Sequence, residues 1–199
     1  MKHKTELALP KTVPDRDGPV EIGYMTETDR NGVLAFAQKL PTHDLLFLPR
    51  DISQPKVLDA WVREIERGAL TTLIAVRDHT VLGCATIVRD PLSWSPHVAE
   101  LRVVLLQAAR GTGLGRRLIE EAFGLAVSLG IEKIVAHMTA DQTGAIAVFE
   151  TMGYRAEALL RDHVRDSAGV KHDIVILSHD VEKFAARLAA YGLGDGAGS

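Results

Sequence analysis

From Leu101 the chain reads Leu101-Arg102-Val103-Val104-Leu105-Leu106-Gln107-Ala108-Ala109-Arg110-Gly111-Thr112-Gly113-Leu114-Gly115-Arg116-Arg117-Leu118. An apolar, strand-like run passes through four residues into a glycine turn, and a helical pattern follows at once. Glycine lets a backbone turn with its N–H groups pointing inward and no Cβ in the way. The N-terminus of the helix adds about half a positive charge. Together these features form an anion cradle suited to phosphate, ringed here by Arg110, Arg116 and Arg117. A P-loop needs Lys and Ser or Thr after its last glycine, where this chain has Arg116-Arg117. A dinucleotide fingerprint starting at Gly111 needs glycine at position 116, where Arg stands. The pattern present is R-x-x-G-x-G, from Arg110 to Gly115. A tight strand-to-helix turn that holds no ligand is the plainer reading of the glycines alone.

On either side of this stretch, strands and helices alternate. Val20–Met25 reads as a strand. A helix carrying Val33, Leu34, Phe36, Ala37 and Leu40 follows and ends at Pro41. Residues 43–52 form an unusually apolar loop. A second helix starts at Ser53-Gln54-Pro55, with Val57, Leu58, Trp61, Val62 and Ile65 on one face. Leu70–Val76 and Val81–Val88 read as strands around a turn at Arg77–Thr80, and Ala99–Leu106 as a third, nearly all apolar. The helix after the glycine turn runs to Leu129 and stops at Gly130. Then come a strand over Lys133–Met138, a helix over Thr143–Met152, a hairpin of Tyr154–Arg165 with Val170–Ser178, and a last helix over Asp180–Tyr191. The class is α/β, a mixed sheet flanked by helices. Residues 1–18, polar and with Pro10 and Pro14, read as a flexible arm. Residues 19–191 read as a single domain, and the Gly-rich 192–199 as a flexible tail.

Composition narrows the function classes. The chain has 199 residues, 46% hydrophobic and 25% charged, with a formal net charge of −3. One folded domain is expected, and no global field draws it to nucleic acid or an anionic membrane. The single cysteine, Cys84, allows no internal disulfide and suits a reducing compartment. No window approaches the ~18 apolar residues of a membrane helix. The expectation is a cytoplasmic protein with no nucleic-acid or membrane partner, and one compatible with a homodimer.

The glycine turn resembles the Q/R-x-x-G-x-G/A signature of the GNAT superfamily of acyl-CoA N-acyltransferases. About thirty residues on, Gln142-Thr143-Gly144-Ala145-Ile146-Ala147-Val148-Phe149-Glu150-Thr151-Met152-Gly153-Tyr154 resembles a second element of that family, N-x-x-A-x-x-[YF]-E-x-x-G-[FY], with Gln142 in place of Asn. The order of elements from Val20 to Ser178 agrees. The resemblance implies a GNAT fold, acetyl-CoA as acyl-donor co-substrate, and N-acetyl transfer to a small amine or a protein lysine. It puts the pyrophosphate on the N–H groups of Gly111, Thr112, Gly113, Leu114, Gly115 and Arg116, with Arg110 beside them. The pantetheine lies along Val103–Leu106, and the N–H of Val104 or Leu105 faces the thioester oxygen as an oxyanion donor. Gln142 and Phe149 complete the cofactor site.

An amine attacks only when neutral, so a base is needed. Glu100 is the candidate: it is the only carboxylate of its strand, and protein-acetylating members of the superfamily carry Glu at the same offset. Burial would raise its pKa. The competing reading is a carboxylate paired with Arg102. His97 is a second candidate. Phe149 stands where the family often has a Tyr that protonates the leaving thiolate, and Phe has no proton to give. A non-catalytic CoA-binding or regulatory module is therefore the alternative function. Asp44 and Asp51 could hold a cationic acceptor, and Trp94 could line its pocket. Cys84 and Trp61 read as core. His163 and His172 would face each other across a four-residue loop at 166–169, but with no third ligand in view no metal site is expected.

Overall fold

The computed structural model describes residues 8–181. One sheet of eight strands spans them, in the order β1-β2-β3-β4-β5-β6-β8-β7. β1 is Lys11–Val13, β2 Val20–Tyr24, β3 Leu70–Arg77, β4 Thr80–Val88, β5 Val98–Leu105, β6 Lys133–Thr139, β7 Arg155–Arg165 and β8 Lys171–Asp180. Every neighbouring pair is antiparallel except β5 with β6. Among the described residues four α-helices accompany the sheet: α1 (Arg30–Ala37), α2 (Pro55–Glu66), α3 (Leu114–Ser128) and α4 (Thr143–Thr151).

The central strands are apolar at successive positions because both sheet faces are covered, and side chains alternate between the faces. Ile74, Cys84 and Val104 point to the α1–α2 side, where they meet Val33, Phe36, Leu58 and Trp61. Leu73, Ala85 and Leu101 point to the other side, against Leu118, Ala122 and Leu125 of α3. The buried polar groups on the α2 side are satisfied: Trp61 Nε1 donates to Thr72 Oγ1 at 3.0 Å, which lies 3.0 Å from Thr86 Oγ1. The β3–β4 turn has Asp78 and His79 at φ 47° and 59°, the positive-φ pair of a two-residue hairpin loop.

Two regions differ from the sequence expectation. Residues 11–15 are not loose. β1 pairs with β2, Val13 is buried, Lys11 pairs with Glu121 of α3, and Asp15 pairs with Arg77. A three-residue edge strand is too short to show a periodicity, which is why it reads as polar arm. The hairpin of β7 and β8 is shifted by one: Arg165 pairs with Lys171 and Val164 with His172. A five-residue connection replaces the expected four, so His163 does not face His172. The expected last helix and the Gly-rich tail lie outside the described residues, apart from Asp180, which ends β8, and Val181.

Candidate active site

β5 organises the site. The N–H of Leu106 donates to Leu82 O at 2.8 Å, and β4 and β5 stay in register from Gly83–Leu105 to Val88–Glu100. Hydrogen bonding alternates along an antiparallel pair. Arg102 and Val104 therefore turn their amides to β4, while Leu101, Val103 and Leu105 turn theirs away from it. On that far side β6 pairs with β5 only from Val98 to Glu100. β6 then follows β8 as far as Thr139. The amides of Val103 and Leu105 thus face a gap between two parting strands. Of Val104 and Leu105, only Leu105 has its N–H directed there; Val104 belongs to the β4 ladder, and its side chain is buried under α1 and α2.

The glycine turn closes one end of this gap. Gly111 and Gly113 have φ of 72° and 96°, and a Cβ on either would meet no atom within 4 Å. Open space therefore lies beside the N-terminus of α3. The helix begins its own bonding with Arg117 N–H to Gly113 O at 3.1 Å. Thr112 Oγ1 donates to Ala109 O at 3.0 Å and accepts the N–H of Leu114 at 3.3 Å. The first-turn amides of Gly115 and Arg116 remain for an anion. A Cβ on Gly115 would sit 2.9 Å from Leu105 Cδ1, so this glycine lets α3 pack on the end of β5. Arg116 and Arg117 share Glu120 at 3.0 and 3.1 Å. The open cradle, unsatisfied amides and exposed guanidiniums fit the phosphates of a CoA thioester.

Beyond the gap lies a cleft of about 270 Å³. Leu46, Phe47, Leu48 and Pro49 form one wall, and Leu160, His163, Val164 and Ile174 of the β7–β8 hairpin the other. Its floor comes from both parting strands: Glu100 and Arg102 on β5, His137 on β6. Arg102 grips Glu100 with two bonds, Nε to Oε1 at 2.9 Å and Nη2 to Oε2 at 2.7 Å. His137 Nδ1 lies 3.3 Å from Glu100 Oε1.

Residues 39–154 match the model of the Acetyltransferase (GNAT) family. The chain belongs to the GNAT family. YwnH of Bacillus subtilis (strain 168), named provisionally as a phosphinothricin acetyltransferase, is 30% identical over 83 residues, which are 42% of this chain and 50% of YwnH. The chain thus spans about half the length of the curated relative it matches. YncA of Salmonella typhimurium, solved with its cofactor acetyl-CoA, superposes with a TM-score of 0.69 at 17% identity, over 81% of this chain and 94% of that one. Spermidine N-acetyltransferase of Vibrio cholerae, solved with CoA and spermine, gives 0.70 at 14% identity, over 83% and 97%. At these identities the two structures show the fold.

Within this GNAT chain several expected roles change. Burial pushes the Glu100 carboxyl up, but the hydrogen bonds from His137 and Arg102 outweigh it, and its pKa falls to about 2. The expected rise is therefore corrected: a carboxylate held this acidic is a poor proton acceptor by itself. His137 went unnoticed in the sequence, although it carries the signal that singled out Glu100, a titratable residue inside an apolar strand. Arg110 donates to Asp44 Oδ2 at 2.5 Å and to Leu105 O at 3.3 Å. Its charge is committed to holding the Thr42–Leu45 turn, and Asp44 is correspondingly taken. Asp51 holds the turn before α2, accepting from Ser53 N–H at 3.0 Å, Ser53 Oγ at 2.6 Å and Gln54 Nε2 at 3.1 Å. Neither aspartate lines the cleft, and His97 and Trp94 are exposed outside it.

The second motif falls on α4. Gln142 takes the N-cap position, half-buried. Phe149 is only 4% exposed and packs edge-on against Tyr154, centroids 4.9 Å apart. Its ring is part of the core. Cys84 is buried, and burial pushes its thiol up to about 12, so it is an inert core residue as expected.

Proposed function

We propose that this chain moves an acetyl group from acetyl-CoA to a small primary amine in the cleft, with His137 as the base and Glu100 as the residue that positions it. The observation that carries this reading is the Glu100–His137 contact across the two parting strands, on the floor of the cleft. Bound acetyl-CoA supplies the electrophilic acyl carbon and a thiolate leaving group. An ammonium has no lone pair, so a proton must leave before attack. His137 Nε2 accepts it, while Glu100 accepts a hydrogen bond from Nδ1–H, stays ionised and stabilises the imidazolium that forms. Arg102 keeps the carboxylate ionised and aimed. The amides of Val103 and Leu105 are the donors for charge growing on the acyl oxygen. Phe149 gives no proton to the sulfur, which takes one from water.

The cleft also supports a class of acceptor. Its one carboxylate among the described residues is already bonded to Arg102 and His137, so none of the described lining acids is left for the second cation of a polyamine. The wall residues Leu46–Pro49 and Leu160 favour an amine with a compact apolar body. We place the reaction in the cytoplasm, which suits a lone buried thiol and a thioester donor. The test is thiol release from acetyl-CoA with a panel of compact amino-acid amines, arylalkylamines, lysine peptides and spermidine. The expected order puts the compact monoamines first and spermidine last. Tight CoA binding by calorimetry, with no amine-dependent release from any of them, would establish a non-catalytic CoA-binding module instead, a reading that the core-buried Phe149 favours.

A further inference from the structure

A second cluster of ligating side chains lies at the rim of the fold. His43 in the Thr42–Leu45 turn, Asp141 between β6 and α4, and His172 at the start of β8 bring one ligand atom each to within 4.8 Å of one another. His43 Nε2 is 3.1 Å from Asp141 Oδ2 and 3.3 Å from Oδ1. The two imidazoles stand edge to face, with centroids 5.1 Å apart. A tetrahedral zinc ion with bonds of about 2.0 Å holds its ligand atoms roughly 3.3 Å apart, so the His43–Asp141 edge already has the required length.

The outer shell is also in place. His172 Nε2 lies 3.0 Å from Asp166 Oδ2. Asp166 is itself fixed by the N–H groups of Ala168 and Val170, both at 2.9 Å. A metal-binding histidine gives its other ring N–H to such a carboxylate, which sets tautomer and ring orientation. Here that leaves Nδ1 of His172 to coordinate.

We propose that His43, Asp141 and His172 form a zinc site, with water in the fourth position and Asp166 as the partner that orients His172. Two neutral imidazoles and one carboxylate suit a borderline-soft ion, whereas calcium and magnesium take oxygen ligands. The ion joins three separate segments. The turn with His43 also carries Asp44, the partner of Arg110, and leads into the Leu46–Pro49 wall of the cleft. Asp141 stands directly before the N-cap of α4, and His172 two residues before Ile174 of the opposite wall. Zinc therefore clamps the cleft wall to the β6–α4 connection. None of its three ligands is among the residues that line the cleft, and the site does not depend on the proposed reaction.

The test uses the untagged full-length chain, stripped with a chelator and desalted. Zinc chloride is titrated by calorimetry and against a chromophoric chelator, and cobalt chloride is followed in the visible spectrum. The expected result is one zinc per chain, tetrahedral ligand-field bands with cobalt, and a higher Tm with zinc. His43→Ala, Asp141→Asn and His172→Ala each weaken binding by tenfold or more and abolish the Tm rise. Asp166→Asn weakens it by about 10–100-fold, the usual effect of removing an outer-shell partner. His97→Ala, exposed and remote in sequence from the three ligands, binds as wild type does. Melting of the metal-free variants checks their folds, with His43→Gln replacing any alanine variant that unfolds. No stoichiometric uptake, or uptake undiminished by His43→Ala and Asp141→Asn, would overturn the proposal and leave only a His–Asp contact between loops.

Discussion

Replacing Glu100 with Gln keeps the size of the side chain and removes its charge. In the structure that charge is held by two bonds from Arg102 and one contact from His137. They carry the carboxyl from its ordinary 4.5 to about 2, against the opposing effect of burial. At ~1.4 kcal/mol per pH unit, a fall of this size is worth about 3 kcal/mol of folding free energy. Because the folded pKa is the lower one, that stability is fully present above pH ~4.5 and is lost as the pH drops towards 2. Urea unfolding followed by circular dichroism at pH 7, 5 and 3 should therefore show a variant less stable by up to about 3 kcal/mol at pH 7, with the difference narrowing at pH 3. The same variant leaves His137 in place but without its partner. Turnover should fall by roughly 10²-fold and recover in part at high pH, where more of the amine is already neutral. A stability difference that does not change between pH 7 and pH 3 would refute the electrostatic account of this pair. An unchanged turnover would remove Glu100 from the proton path.

His137→Gln removes the proposed base itself: turnover should drop by about 10²–10⁴-fold with CoA affinity preserved, as read by thiol release and calorimetry. Gly113→Trp should abolish CoA binding in calorimetry while the chain still melts cooperatively, because Gly113 faces open space, although its φ of 96° adds strain. Gly115→Trp should lower the Tm as well, since even a Cβ there approaches Leu105 to 2.9 Å. Phe149→Tyr puts a hydroxyl into the core beside Tyr154, whose own buried hydroxyl already lacks a partner among the described residues. It should cost about 1–3 kcal/mol without CoA. Faster thiol release together with a Tm more dependent on CoA would show that the new phenol reaches the sulfur; slower release with unchanged CoA dependence would show that position 149 only packs.

The parts of the fold that could be read from sequence are those with local causes. The glycine turn announced the N-terminus of α3 because only a short stretch is needed to build it, and the apolar runs of β3, β4 and β5 announced strands buried on both faces. The site was legible where one residue broke a local pattern, as Glu100 does in β5. Its chemistry was legible only in part: Arg102, two residues on, was already in view as a partner, but His137, which together with Arg102 lowers the pKa of that carboxyl, comes from a strand beyond α3 that meets β5 over only three residue pairs before parting from it. Arg110 shows the same limit. Next to the glycines it reads as a phosphate cation, but Asp44, 66 residues away, takes its guanidinium. The rim cluster is more distant still, since His43 and Asp141 are 98 residues apart and a one-residue shift in the β7–β8 hairpin moves His172 from His163 to Val164. Each of these contacts depends on how β5, β6 and β8 are placed side by side. The parting of β5 from β6 therefore does two jobs at once: it opens the gap that Val103 and Leu105 face, and it sets Glu100 against His137 at the last point where the two strands still touch.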